Sequence, residues 1–292
     1  MKKTSFALLA MAIAIGACKK KEDAAPTAPE EVGAVPSSFS QEVLVEEMTG
    51  AWCGWCVLGA EGIKTAVTAH PGKVNAVACH GGSGEPMTKP EYSSIISFSG
   101  ATGVPHYRCN RGTGGGFPGS FSTNVNTALA QTAQCGLAMD TRATSGSTIS
   151  VTVHAGFKSA LTGDYRLVVY LIENSITNSA TNYDQHNYVY NNASYSTSEY
   201  YTKPSVIPGY SHLHVERKLL SVDIHGDAIP SANVVAGGEY VKTYTYAIPA
   251  GSGWNTSNMA VVAGILKYGA TVSTQQFMNS QECGLGSVRN WE

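Results

Sequence analysis

The stretch Val43-Leu44-Val45-Glu46-Glu47-Met48-Thr49-Gly50-Ala51-Trp52-Cys53-Gly54-Trp55-Cys56 governs how the residues around it are read. It opens as a short apolar run with the length of a buried strand. After Cys56, apolar residues at Val57, Leu58, Ile63, Ala66 and Val67 recur at helical spacing until His70-Pro71-Gly72 stops them. A strand therefore runs into a helix, and Cys53 is expected at the helix start. Unpaired amide donors and the helix dipole there stabilise a thiolate and lower its pKa, which makes Cys53 the attacking sulfur. Cys56, one turn on, faces the same way and can resolve a mixed disulfide. The same C-x-x-C spacing also occurs in half a zinc site or a small structural disulfide. A second C-x-x-C or an H-x₃₋₅-H that would complete a zinc site does not follow.

Trp52 before the pair and Gly103-Val104-Pro105 downstream complete a pattern that resembles the active site of the thioredoxin fold. The resemblance implies that Cys53 is the nucleophile, Cys56 the resolving cysteine, and Pro105 a cis-proline that shapes the groove and keeps metal out. It also places Glu47, six residues before Cys53, where relatives keep a buried acid that helps deprotonate the resolving cysteine through water. Strand alternation turns Glu46 to the other face. The competing reading of Glu47 is a solvated acid at a strand end. Trp52, Trp55, Val104 and His106 are the expected lining of the substrate groove. Two departures stand out. Trp55 replaces the proline usual in the dipeptide, so the direction of exchange stays open. His106 follows Pro105 where a small hydroxyl residue is common, and it either stabilises a thiolate when charged, lines the groove, or packs.

Upstream, Lys2 and Lys3 precede an apolar run from Phe6 to Ala17, the form of a secretory signal peptide over residues 1–17. Its end, Ile15-Gly16-Ala17-Cys18, resembles the lipobox of bacterial lipoproteins, which implies that Cys18 is a lipid anchor. Residues 18–39, with Lys19 to Asp23 and then Pro-bearing small residues, read as a flexible tether. The charged cluster is similar to the export signal that sends some Bacteroidota lipoproteins to the outer face of the outer membrane. The alternative is a solvated stem, so the choice between periplasmic and cell-surface face stays open.

Downstream, Lys73 to His80 reads as a strand, Tyr92 to Phe98 as a short helix, Tyr107 to Asn110 as an edge strand and Ser120 to Gln134 as a closing helix. This order assigns residues 40–135 to an α/β thioredoxin-like domain. Arg111 to Gly116 is glycine-rich but lacks the Gly-Lys-Ser/Thr ending of a phosphate loop, and we expect neither a cofactor nor a resident metal. Four further cysteines are candidates for structural disulfides in an exported protein, with Cys79–Cys109 and Cys135–Cys283 the favoured pairs. The strand carrying Cys53 would lie between those carrying Cys79 and Cys109, which opposes the first pairing.

Residues 136–292 read as an all-β antiparallel sandwich-like domain. Alternating or β-branched runs cover Gly136 to Thr141, Ser147 to Phe157, Tyr165 to Glu173, Glu239 to Ile248 and Met259 to Tyr268. Tyrosines 183, 188, 190, 195, 200 and 201 crowd one segment, either as a protein or glycan surface or as strand filling. His212 and His214 alternate as on a strand and could share a metal with His186 or His225, although no matched third ligand stands at motif spacing. From the lipobox through the tryptophan-flanked cysteine pair to His212-x-His214-Val215-x-Arg217 and the β-rich tail, the chain resembles the Bacteroidota twenty-eight-kilodalton outer-membrane protein family. That resemblance implies location and architecture more than a substrate.

Composition narrows the functions. Charged residues make up 14% of the chain against roughly 25% in average soluble proteins, and the net charge of −2 gives no basic footprint for nucleic acid. The leading expectation is a lipid-anchored thiol–disulfide oxidoreductase acting on the thiols or disulfides of exported proteins. The competing one is an adhesin-like or complex-forming binding lipoprotein in which Cys53–Cys56 is structural, and a third is metal handling by the cysteine pair or the two histidines.

Overall fold

The computed structural model describes residues 31–292. Residues 1–17, expected to be a signal peptide, Cys18 and the first part of the expected tether lie outside the described residues. The remainder of the tether is engaged with the C-terminus. Gly33 donates to Asn290 Oδ1 at 3.1 Å, Trp291 Nε1 donates back to the Gly33 carbonyl at 2.7 Å, and Phe39 packs on Trp291.

The order of elements is β1 (Val43–Thr49), α1 (Cys56–Ala69), β2 (Val74–His80), α2 (Tyr92–Ser99), β3 (His106–Cys109), β4 (Gly114–Gly116), α3 (Phe121–Leu129), β5 (Cys135–Asp140), β6 (Thr148–Phe157), β7 (Tyr165–Glu173), β8 (Gln185–His186), β9 (Val206–Ile207), β10 (Val215–Leu219), β11 (Asp227–Ala228), β12 (Glu239–Ala247), β13 (Met259–Lys267), β14 (Gln276–Gly284) and β15 (Val288–Arg289). Among the described residues strand outweighs helix. A mixed sheet runs β14-β13-β7-β10-β2-β1-β3-β4, with β11 beside β7, and a second antiparallel sheet runs β12-β6-β5-β15.

β1 and β2 are buried along their whole length and pair in parallel, as apolar strands covered on both faces do. On one face, Val43 and Val45 pack with Ile63 and Ala66 of α1 and with Val125 of α3. On the other, Leu44 and Met48 pack with Val77, Ile95 of α2, Val168, Tyr170 and Val262. β7 and β13 alternate in the same way. Leu167, Val169, Leu171, Val261 and Ala263 face β5 and β6, while Val168, Tyr170, Ile172 and Val262 face the α2 side. The two-sheet packing predicted for the second half is therefore present, but one of its layers continues into the first half. β10 makes that join: Ala78 N–H donates to the His214 carbonyl at 2.8 Å, and Val215 is in parallel register with Ala78. Residues 40–135 and 136–292 thus share one sheet and the core on its α2 side. The sheet also curls back on itself, because Arg111 bridges to Gln276 and Phe277 N–H donates to the Asn110 carbonyl.

Both expected structural disulfides are absent; Cys79, Cys109, Cys135 and Cys283 are buried free thiols. Cys79 aligns with Met48 and Cys109 with Val45 on opposite sides of β1, so two strand spacings of about 4.8 Å separate them, beyond disulfide reach. The Cys135 carbonyl lies beside Asn279, whereas Cys283 sits four residues further along β14 near Ser287. At about 3.3 Å per residue those sulfurs are also too far apart. Burial pushes the Cys109 and Cys135 thiols up to about 12, so they stay protonated and inert.

Candidate functional site around the Cys53–Cys56 disulfide

Cys53 and Cys56 are disulfide-bonded, with Cα atoms 5.3 Å apart, in the turn joining β1 to α1. The helix begins at Cys56, so Cys53 precedes it by three residues and is not its first residue as expected. The turn is held by Cys53 N–H to the Gly50 carbonyl at 3.0 Å and by Cys56 N–H to the Cys53 carbonyl at 3.1 Å. No side chain caps α1 and its first turn holds no acid, which leaves the positive end of the helix facing the sulfurs. The Val104–Pro105 peptide bond is cis, and Cys53 Sγ lies 3.5 Å from the Val104 carbonyl oxygen. A disulfide sulfur carries no proton, whereas a reduced Cys53 thiol could donate to that oxygen. The cysteines are only 5% and 2% exposed, so access to the bond depends on what covers it.

The cover comes from the distant tyrosine-rich segment. Gln185 Nε2 donates to the Cys53 carbonyl at 2.9 Å, His186 N–H to the Ala51 carbonyl at 2.8 Å, and Tyr188 N–H to the Gly54 carbonyl at 2.9 Å. The Tyr188 ring lies so close over Gly54 that any side chain there would collide with it. Trp55, expected in the substrate groove, is instead packed between Tyr188 and Tyr195, with ring centroids 5.7 and 5.6 Å away. Val57, Val189 and Tyr200 close a small core beneath. Trp52 is 44% exposed and tied by Nε1–H to the Gly81 carbonyl at 2.8 Å; Tyr188 and Tyr190 are exposed as well. His106 is half-buried on β3; burial and then Arg108 lower its pKa, so it is a neutral ring. A neutral His106 does not supply the positive charge considered for the thiolate.

Beneath the pair, alternation separates the two acids of β1 as expected. Glu47 points toward α1, where its carboxyl lies against Gly59 so closely that no side chain fits at that position. Its Oε1 has no hydrogen-bond partner, and burial raises its pKa to about 8. It is therefore a buried neutral acid at pH 7, not a solvated one. Glu46, on the opposite face, receives Arg111 Nε and Nη2 at 2.9 and 2.7 Å and the Tyr170 hydroxyl at 2.7 Å.

Next to Glu47, a polar group that sequence spacing did not expose gathers along the end of β2. Glu85 Oε1 pairs with His80 Nδ1 at 3.2 Å, and its Oε2 accepts the Ala51 N–H at 2.7 Å. Burial alone would raise Glu85, but His80 and the Ala51 and Met87 amides outweigh it and leave its pKa lowered. His80 stacks edge-on against His212. His212 and His214 are not alternating strand residues: β10 starts at Val215, and His214 has φ +56°. Burial, with His80 adding for His212, lowers both to about 4. Among the described residues no cluster of three or more metal-ligating side chains forms.

A sequence profile described as "Outer membrane protein Omp28" matches residues 93–281. No curated protein matches. HBP35 of Porphyromonas gingivalis is similar in structure with a TM-score of 0.64 and 18% identity, over 85% of this chain and 76% of that one. A domain of the outer membrane lipoprotein Omp28 from the same organism aligns over 55% of this chain and 92% of that one, at 16% identity and a TM-score of 0.31. No helix among the described residues is long and apolar enough to cross a membrane.

Proposed function

The chain belongs to the Omp28 family of outer membrane proteins, and on that premise we propose that its Cys53–Cys56 couple performs thiol–disulfide exchange on exported proteins at the outer membrane, from a thioredoxin-like setting anchored by lipid on Cys18. The observation that carries this reading is the disulfide itself, set at the uncapped positive end of α1 with Val104 beside Cys53 and the unpaired acid Glu47 beneath.

In the oxidising direction, a substrate thiolate attacks Cys53 Sγ, the Cys53–Cys56 bond breaks, and Cys56 leaves as a thiolate that takes a proton. A second substrate thiolate then attacks the substrate sulfur bonded to Cys53, forming the substrate disulfide and releasing Cys53 as a thiolate. Two electrons pass from substrate to site. The reducing direction runs the same steps backward from the dithiol. In this reading Glu47, protonated at neutral pH by its burial, exchanges a proton with Cys56 through water, and its place with Cys56 in the lining of one cavity supports that role. Trp52, Val104, Pro105 and His106 form the floor and rim of the substrate groove, and Tyr188 and Tyr190 add a wall.

A Cys56→Ala variant tests this by trapping. It is expected to accumulate mixed disulfides with exported proteins through Cys53, and the wild-type couple to equilibrate with glutathione. A potential below about −300 mV, typical of inert structural bonds, together with no trapped species would overturn the reading and leave Cys53–Cys56 as a staple in a binding protein.

A further inference from the structure

A second approach to the disulfide lies along the side of α1. A cavity of about 370 Å³ runs between α1, the ends of β1 and β2, and residues 210–214. Cys56 lines it and Cys53 does not. The buried members of the lining, among them Cys56, Glu47 and Ala78, form its inner end, and exposed Lys64, Thr68, Ser211 and Leu213 form its mouth. Ile63, Val67 and the rings of Tyr200 and Tyr210 make most of its wall apolar.

Two of the lining residues carry a buried polar atom that has no partner. Glu47 Oε1 and His214 Nδ1 are buried without a hydrogen-bond partner, while His212 Nε2 is engaged by the Tyr183 carbonyl and His80 Nδ1 by Glu85. An unpaired buried polar group is costly, so a ligand that completes the hydrogen bonding of either residue recovers part of that cost. Both groups are uncharged at neutral pH, because burial raises Glu47 to about 8 and lowers His214 to about 4. Lys64 at the mouth is already paired with Glu199 at 2.6 Å. A charged guest would therefore meet no unpaired counter-charge, whereas a hydroxyl can accept from the Glu47 acid and donate to a ring nitrogen. An apolar cavity with a few convergent polar atoms is the common form of a small-molecule site.

We propose that this cavity binds an uncharged, mostly apolar small molecule bearing a hydroxyl group, seated against Glu47 and His214 behind Cys56. The site does not depend on thiol exchange, and it stands or falls separately from it.

Titration calorimetry on the full chain with 2-naphthol, naphthalene and 2-naphthoate tests this. Saturable one-site binding of 2-naphthol is expected, with about tenfold weaker binding of naphthalene for the lost hydrogen bond and none of 2-naphthoate. Ala60→Phe, at a half-buried lining position of α1, and Leu213→Trp, at the exposed mouth, should each abolish binding while the thermal midpoint shows the chain folded. Glu47→Leu should erase the preference for naphthol over naphthalene. The calorimetry is run on the oxidised protein with no thiol substrate present, so naphthol binding is read independently of the redox reading. Equal binding of all three probes, binding of none, or naphthol affinity unchanged in both obstructed variants would overturn the proposal.

Discussion

Glu46 and Glu47 are sequence neighbours on one strand, and the protein treats them in opposite ways. Glu46 lies in a saturated cluster: a bidentate pair with Arg111, the Tyr170 hydroxyl, and Gln275 completing the guanidinium at 2.8 Å. Glu47 has an oxygen with no partner, and with Cys56 of the disulfide it lines a cavity. The two faces of β1 therefore differ: one holds the sheet together through a satisfied ion pair, and the other carries an acid with an oxygen left unpaired. A buried ion pair whose hydrogen bonds are all made fixes the curl of the sheet, since Arg111 reaches both β1 and the approach to β14. An unpaired acid costs stability and is tolerated where its proton is useful.

Breaking the saturated face should have the largest effect. Glu46→Leu leaves the Arg111 charge buried and unpaired, with an expected loss of about 3–5 kcal/mol in urea unfolding. Glu46→Leu/Arg111→Met should recover much of it, and a double variant as unstable as the single would show that the pair is not what matters.

The available face should reveal itself through pH. The folded-state pKa of Glu47, about 8, exceeds its unfolded value of about 4.5. The folded state therefore holds the extra proton between those values, and stability is lost as pH rises through that window. Glu47→Gln removes this dependence, so the wild type should lose stability relative to the variant from pH 5 to 8, by at most about 1.4 kcal/mol per unit. His212 and His214 act with the opposite sign, losing their contribution as pH falls from 6.5 through about 4, and cancel between the two proteins. Parallel pH profiles would mean that Glu47 is solvated.

A smaller effect is expected over the disulfide. Tyr188→Ala removes the ring on Gly54 and one partner of Trp55, an aromatic contact worth about 1 kcal/mol. Local opening and the rate of Cys53–Cys56 reduction by dithiothreitol should rise several-fold, up to about tenfold. An unchanged rate would show that reductant reaches the bond by another path. Smallest of all, Lys64→Ala removes an exposed pair with Glu199 and should leave the thermal midpoint where it was.

Much of this arrangement is legible in the chain because it is local. Val43 to Met48 followed by Cys53 and Cys56 announces a strand, a turn and a helix within one short segment, and period-two alternation alone separates Glu46 from Glu47. The β-branched runs at 147–157, 165–173 and 259–268 likewise identify β6, β7 and β13. The tyrosine cluster at 183–201 was visible as composition, but nothing local says that Tyr188 lies over Gly54 or that Gln185 holds the Cys53 carbonyl.

The sequence by itself determined the longer apolar strands, the Cys53–Cys56 spacing and the opposite facing of Glu46 and Glu47, since spacing along a strand or helix fixes which side chains share a face. Tertiary structure decided the rest. Burial of apolar faces on both sides of β7 and β13 drew β10 against β2 and merged the halves into one sheet. That same sheet order put β1 between Cys79 and Cys109, kept all four remaining thiols free, and brought a segment from the far half of the chain over the disulfide. Such choices depend on which distant surfaces fill one another, a quantity that residue spacing does not encode.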